Sequence, residues 1–298
     1  MFATKTSKIF SQKGYKLEYG IMTGVSNYLG ELGGREKAAR TFLWDTKLAK
    51  TRWTETIYFR YKFHPMFALK VAANYLRISG DDKLTTNPGR RYRNLSFRND
   101  IFDVETTLNW IIYNSTKPTG IYSRANVYFT AYLFLGFGGF RRNPKTLYQG
   151  SWVALQPIKT EGVTYSKFGY CLPMGWGFYV TINKRRRAHR IGLEFNWRYT
   201  NTDYLDDVST VYKSPADLPS ATAVALSNRN VELTKQPEGQ AGNYGWQGLD
   251  KNGELINKAP RGNPKDKDSY YTVNISYGIA MKSRYSKSRG RKIRSVTF

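Results

Sequence analysis

Eight stretches of the chain alternate apolar and polar residues over roughly ten positions each, the length a tilted strand needs to cross a bilayer. The clearest is Arg190–Tyr199, where Ile191, Leu193, Phe195, Trp197 and Tyr199 share one face and Arg190, Gly192, Glu194, Asn196 and Arg198 the other. A period of two places successive side chains on opposite faces of a sheet. The same pattern predicts strands at Lys16–Val25, Glu55–Phe63, Phe67–Arg77, Ile101–Ile112 and Ser269–Met281. Two more, Tyr128–Phe140 and Gly169–Ile182, are rich in glycine and apolar on both faces. Gly136, Gly138, Gly139, Gly175 and Gly177 there suggest tight bends or room for bulky neighbours, and Pro173 a bulge or a weak spot in pairing.

The connections sharpen the picture. Short links at 64–66, 114–124 and 183–189 alternate strictly with long ones at about 26–53, 78–99, 141–167 and 200–267. Bacterial outer-membrane barrels sort their loops this way, with long loops outside the cell and short turns in the periplasm. The reading is an all-β fold: an eight-stranded antiparallel transmembrane β-barrel with four long extracellular loops, in the cell outer membrane. The barrel spans 15–281, between a basic arm at 1–14 and a basic periplasmic tail at 282–298. The alternative is a soluble eight-stranded barrel or sandwich, with the apolar face as its core and the charges in water.

A barrel this narrow is filled by side chains. The inward-facing charges Glu18, Arg60, Lys70, Asp103, Glu105, Glu194 and Arg198 are therefore expected to pair as a structural plug, since an unpaired buried charge costs several kcal/mol.

Composition changes this picture in one respect. The formal net charge of the 298-residue chain is +25, which alone would suggest a nucleic-acid binder. The cations, however, are scattered over strand ends, loops and tail, and aromatics reach 15%, with 23 Tyr and 7 Trp, as interfacial girdles require. No nucleic-acid partner and no small-molecule substrate are expected; outer-membrane lipid is. Trp53, Trp110, Trp197 and Tyr199 read as interfacial anchors. No stretch approaches 18 uninterrupted apolar residues, so helical spans are not expected. Met1–Thr6 lacks the apolar core of a secretory signal. The expectation is that the numbering begins at or near the mature form, or that the start is misplaced.

Three basic groups fall on the predicted periplasmic side. Lys184, Arg185, Arg186, Arg187, His189 and Arg190 crowd one turn; Lys282, Arg284, Lys287, Arg289, Arg291, Lys292 and Arg294 follow the last strand; Lys5, Lys8 and Lys13 precede the first. A field of one sign there would attract an acidic protein surface, lipid phosphates or anionic polymer. The bland alternative is that these residues anchor the barrel against inner-leaflet phosphates.

Candidate chemistry is sparse. The only histidines, His64 and His189, are placed in short turns, and the single cysteine, Cys171, allows no intrachain disulfide and no cysteine-based zinc site. No catalytic residue, metal or cofactor is expected. Asp203, Asp206 and Asp207 could contact calcium, but lack the spacing and turn glycine of a dedicated loop; the competing reading is a strand-end cap paired with Arg or Lys.

The runs Arg93–Arg98 and Thr202–Asp207 are not demanded by barrel physics, and they belong to five segments that carry a resemblance: Ser26–Leu32, Arg93–Ile101, Gln156–Gly162, Gly192–Arg198 and Thr202–Val208. In this order along residues 15–280 they resemble the PorG-like outer-membrane proteins of Bacteroidetes. The resemblance implies a small non-enzymatic barrel of the type IX protein secretion and gliding machinery, contacting a periplasmic ring of lipoprotein and partner subunits. Lys184, Arg185, Arg186, Arg187, Arg284, Arg289, Arg291, Lys292 and Arg294 would form the docking face. The chain departs from that pattern in its long last connection and in the basic tail beyond the last strand. The second functional reading is a generic outer-membrane barrel for surface adhesion or envelope stability.

Overall fold

The computed structural model describes residues 15–30, 32, 48–85, 88–115, 127–184, 187–233, 247–249, 255–257 and 260–282. Eight long strands form a closed antiparallel ring: β1 (Tyr15–Leu29), β2 (Arg52–His64), β3 (Phe67–Asp81), β4 (Ser96–Asn114), β5 (Val127–Arg141), β8 (Phe168–Lys184), β9 (Arg187–Thr200) and β12 (Ser269–Lys282). Each pairs with its neighbours in chain order, and β1 pairs with β12 through fourteen residues' length, from Tyr15↔Lys282 to Leu29↔Ser269, which seals the ring. A sheet closed on itself has no unpaired backbone edge, the condition for crossing lipid with strands.

Which face is outside decides between the membrane and soluble readings. Ile57 is 70% exposed, Ile275 61% and Ile21 58%, whereas Lys70 and Asp103 are fully buried. The apolar face is the exterior and the charged face the interior. A water-soluble protein would reverse this, so the soluble alternative is excluded.

Two aromatic girdles bound the apolar belt. Toward the long loops, Trp53 packs on Tyr75 and Phe137 on Tyr170; toward the short turns, Phe63 meets Phe67, and Tyr113 meets Phe129, which meets Phe178. From Trp53 to Phe63 on β2 the rise is about 25 Å, at ~3.3 Å per residue and a tilt of about 40°. That matches the hydrocarbon thickness such barrels cross.

The strands run past the predicted segments at the long-loop end. β4 begins at Ser96 where alternation suggested Ile101, and β3 continues to Asp81. There the outward residues are Arg77, Arg98 and Asp100, so polar–apolar contrast disappears while inward Phe97, Ile101 and Ile78 stay buried. Pairing continues beyond the lipid. A hairpin, β6 (Pro144–Tyr148) and β7 (Ser151–Ala154), extends the sheet from the upper end of β4, and its turn residues Gln149 and Gly150 both have positive φ. A separate small hairpin joins β10 (Gln247–Leu249) to β11 (Leu255–Asn257).

Pro173 interrupts a ladder without a bulge. Between β5 and β8 the pairing lapses at Leu172 and Pro173 and resumes in the same register at Cys171. Gly177 and Gly278 lie on the lumen side where side chains would collide: a Cβ on Gly177 would meet the Tyr132 ring at 2.5 Å, and one on Gly278 the Tyr58 hydroxyl at 2.3 Å. Small residues here admit large inward aromatics.

At mid-barrel the lumen carries eight charges that cancel, with Lys62 half-buried on the same face at the short-turn end. Glu18 takes Arg60 (3.3 Å), Arg190 and the Tyr58 hydroxyl (2.7 Å). The Tyr132 hydroxyl accepts from Arg60 and donates to Glu194 (2.7 Å), and Glu194 also binds Lys70 at 2.5 Å. Lys70 lies 3.9 Å from Glu105, and Arg198 bridges Glu105 (3.1 Å) and Asp103 (3.2 Å). Asn74 and Tyr270 donate to Asp103, and Asn196 to Glu105. Four acids and four bases form one continuous chain. The guanidinium of Arg190 stacks over Tyr179, that of Arg60 over Tyr132, and the Lys70 ammonium over Phe134.

Removing one cation from this chain should cost more than removing a pair. Lys70→Met leaves four acids facing three bases and should destabilise the barrel by about 3 kcal/mol. Lys70→Met with Glu194→Gln restores balance and should recover at least half of that loss. The temperature at which the folded band converts on a denaturing gel measures both; a double variant no more stable than the single would contradict the account.

Candidate functional site

Above the belt the barrel mouth changes character. Tyr28, Leu32, Leu76, Ile78, Leu95, Phe97, Ile101, Phe140, Cys171 and Tyr270 form a buried apolar core, into which Leu205 and Val208 of the last long connection descend. Hydrogen bonds then fix that connection to the rim. Asn99 Nδ2 donates to the Leu205 carbonyl (2.8 Å), and the Leu205 amide donates to Asp268 Oδ2 (2.9 Å). The Tyr28 hydroxyl lies within donating distance of Asp206 Oδ2 (2.7 Å) and Asp268 Oδ1 (2.5 Å).

A second tier of buried charge ties the loops to one another. Arg93 grips Asp82 with two nitrogens (2.8 and 3.0 Å) and donates to the Arg261 carbonyl (2.6 Å). Arg261 in turn donates to Glu161 (2.9 Å) and to the Asp207 carbonyl (2.6 Å). Glu161 accepts from the amides of Ser209 and Thr210. Burial alone would favour the neutral form of Arg261, but Glu161 and Asp207 outweigh it and hold its pKa above the ordinary value. Asn94 ends the short helix Pro88–Arg93 at φ 57 and donates to the Arg229 carbonyl, a left-handed position that Asn tolerates.

Four of the motif segments thus converge. Tyr28, Asn99, Thr160, Glu161, Asp206 and Asp207 come from Ser26–Leu32, Arg93–Ile101, Gln156–Gly162 and Thr202–Val208, and together they fasten a cap over the barrel. Alternation could not reveal this, because capping contacts have no period. The aspartates do not converge on one ligand. Asp206 serves Tyr28 and the Val208 amide, and Asp207 accepts from Thr160 and Tyr165. Among the described residues no group of His, Cys, Asp and Glu has a metal-holding arrangement.

The lumen residues Glu18, Arg60, Lys70, Asp103, Glu105, Glu194 and Arg198 all lie inside the barrel. Arg190, grouped above with the basic turn, belongs with them: it is 4% exposed and paired with Glu18. His189 likewise lies within strand β9 rather than in a turn, on the outer wall with Nδ1 2.8 Å from the Tyr277 hydroxyl. Of the remaining basic face, Lys184 pairs with Arg187 at the closing end of β8–β9 and Arg187 is exposed. Arg185, Arg186, Arg284, Arg289, Arg291, Lys292 and Arg294 lie outside the described residues, as do Lys5, Lys8 and Lys13.

Asp207 gives the cap a pH dependence. Burial raises its carboxyl pKa to about 6, against the pull of Arg261 and the hydroxyls of Thr160 and Tyr165. The folded cap therefore binds this proton more tightly than the unfolded chain, whose value is near 3.9. Its contribution is full below about pH 4 and is lost as pH rises through 6. Hydrogen exchange of the Val208–Thr210 amides, corrected for intrinsic rate, should show less protection at pH 7 than at pH 5. In Asp207→Asn that difference should vanish; a difference that persists would show that another group is responsible.

Comparison with known proteins adds a family and a distant likeness of shape. Ail, the attachment invasion locus protein of Yersinia pestis, solved in complex with the heparin analogue sucrose octasulfate, aligns over 88% of this chain and 99% of its own, with 10% identity and a TM-score of 0.30. Neisserial surface protein A aligns over 89% of this chain and 96% of its own, with 8% identity and a TM-score of 0.34. No curated protein matches the chain. Residues 5–217 match a domain of unknown function, DUF6089, and since the match covers more than half of the chain, the protein belongs to that family.

Proposed function

We propose that the protein is a non-enzymatic barrel of the bacterial outer membrane, which holds a cationic short-turn end in the periplasm as a docking face for the periplasmic ring of a type IX secretion machine. The observation that carries this reading is the contrast between the inside and the short-turn end. At mid-barrel, each of the eight lumen charges has an opposite partner. At the turn, Lys184 and Arg187 close a hairpin whose intervening residues are Arg185 and Arg186, and a tail with no acidic residue follows β12. An excess of one sign at a membrane surface recruits an oppositely charged partner. The motif resemblance to PorG-like proteins supplies the machine.

Neutralising Arg185, Arg186 and Arg187 together with Arg284, Arg289, Arg291, Lys292 and Arg294 should reduce co-purification of ring subunits roughly tenfold, while heat-modifiable migration stays normal. Co-purification unchanged at moderate salt would count against docking. Loss of type IX secretion on deletion of the gene is the decisive functional measurement.

The cap favours a second reading, surface adhesion or envelope stability, because the buried pairs Arg93–Asp82 and Arg261–Glu161 tie three of the long connections together on the outward side. Arg261→Met should then abolish the surface phenotype and leave secretion intact; the reverse outcome supports the docking reading.

A further inference from the structure

Above its apolar belt the outer wall is uneven in charge. On the flank formed by β3, β4, β5 and β6, the outward positions include Arg77, Arg98, Arg141 and Lys145, with two acids, Asp100 and, at the end of β3, Asp81. Strand register makes them neighbours. Arg77 faces Asp100, Lys145 faces Arg98, and Arg141 faces Phe102, so all four cations fall beside three successive outward positions of β4. At the same end of β8, β9 and β12 the outward residues include Tyr170, Leu172, Tyr199 and Tyr271, which carry no charge.

These acids do not satisfy the four cations, for Asp81 is engaged by Lys50 at 3.1 Å. Asp100 Oδ1 is engaged by Arg77 Nε at 2.5 Å, which leaves Arg98 a long contact of 3.8 Å to Oδ2. The Arg98 Nε is shielded from solvent without a hydrogen-bond partner, and its guanidinium carbon lies over Trp152, 4.1 Å from the ring centroid. Arg141 and Lys145 have no ion partner among the described residues. Trp152 and its cross-strand neighbour Leu147 are each nearly half exposed.

Height supplies the occupant. Phe102 belongs to the aromatic edge of the belt, so the patch begins where hydrocarbon gives way to headgroups. Cations at that level are within reach of lipid phosphates, and guanidinium forks match phosphate oxygens. A protein or nucleic acid would have to displace lipid to reach this wall. We propose that this flank is a binding site for phosphorylated lipid in the leaflet on the long-loop side. Arg98, Arg141 and Lys145 donate to the phosphate oxygens, and Trp152 and Leu147 pack on the lipid body. The proposal rests on the membrane reading above and is independent of the docking reading.

The test is native mass spectrometry of the full chain, extracted in detergent and incubated with lipid A or with the same lipid A stripped of its phosphates. Wild type should retain the phosphorylated form preferentially. Arg98→Gln with Arg141→Gln and Lys145→Gln should lower that retention by roughly tenfold or more. Lys16→Gln, an exposed cation at the opposite end on β1 that belongs to neither proposed site, should not change it. Phosphatidylglycerol retained with the same sensitivity to the triple variant would show that any accessible lipid phosphate suffices. Equal retention of both forms of lipid A, or no effect of the triple variant, overturns the site. If the triple variant does not fold, Asp100→Asn decides: it removes the competing acid and should raise retention several-fold, and no rise overturns the proposal. Failure of the membrane reading would appear separately, as extraction of the chain from cells without detergent.

Discussion

The pairing of Glu18, Asp103, Glu105 and Glu194 with Arg60, Lys70, Arg190 and Arg198 is the constraint on which the barrel depends. Closing eight strands removes the unpaired sheet edge, but it also forces one face of each strand into a space too narrow for bulk water. Charges there cannot rely on solvent. They are tolerable because each carboxylate meets more than one donor and because Tyr132, Tyr179 and Phe134 lie against the cations. The glycines on the opposing wall follow from the same need: Gly177 and Gly278 leave space for Tyr132 and Tyr58, whose hydroxyls complete the network.

This explains which parts of the fold were legible in the sequence. Five strands have apolar residues outside and charged or amide residues inside, so alternation is sharp in β2, β3, β4, β9 and β12. β5 and β8 were blurred because Tyr132, Phe134 and Tyr179 face inward opposite Leu133, Leu135 and Val180, leaving both faces apolar. Strand ends were illegible for the opposite reason. Past Phe102 the outward side of β4 meets headgroups and water, so Arg98 and Asp100 are acceptable, and the contrast fades although the ladder continues. Arg190 stands near the turn end of β9; position along the chain suggested the turn, and only its parity with Glu194 and Arg198 points inward.

The cap was legible as an anomaly before it was legible as a structure. Ser26–Leu32, Arg93–Ile101, Gln156–Gly162 and Thr202–Val208 contain residues that no period-two rule demands. Their partners are far apart in sequence, as with Tyr28 and Asp268 or Glu161 and Arg261, and nothing local announces such pairs. Asp207 at φ 68 shows the local cost: a non-glycine residue is held in the left-handed region so that its side chain reaches Thr160 and Tyr165 while its carbonyl reaches Arg261.

Charge balance then locates what the barrel leaves available for interaction. The eight lumen charges cancel, and in the cap Arg93 is matched by Asp82 and Arg261 by Glu161. The whole formal excess of +25 therefore lies outside both networks. It cannot sit on the belt, where a cation facing hydrocarbon costs about 2–4 kcal/mol at mid-depth. It must gather at the rims, the short-turn end and the segments beyond the strands. The apolar belt fixes the depth of the barrel, the lumen network fixes its shape, and neither uses the net charge. A chain selected only to form a stable barrel would have no need of that excess. Among the described residues Arg77, Arg98, Arg141 and Lys145 stand at one rim and Arg187 at the other, where phosphate and acidic protein would meet them.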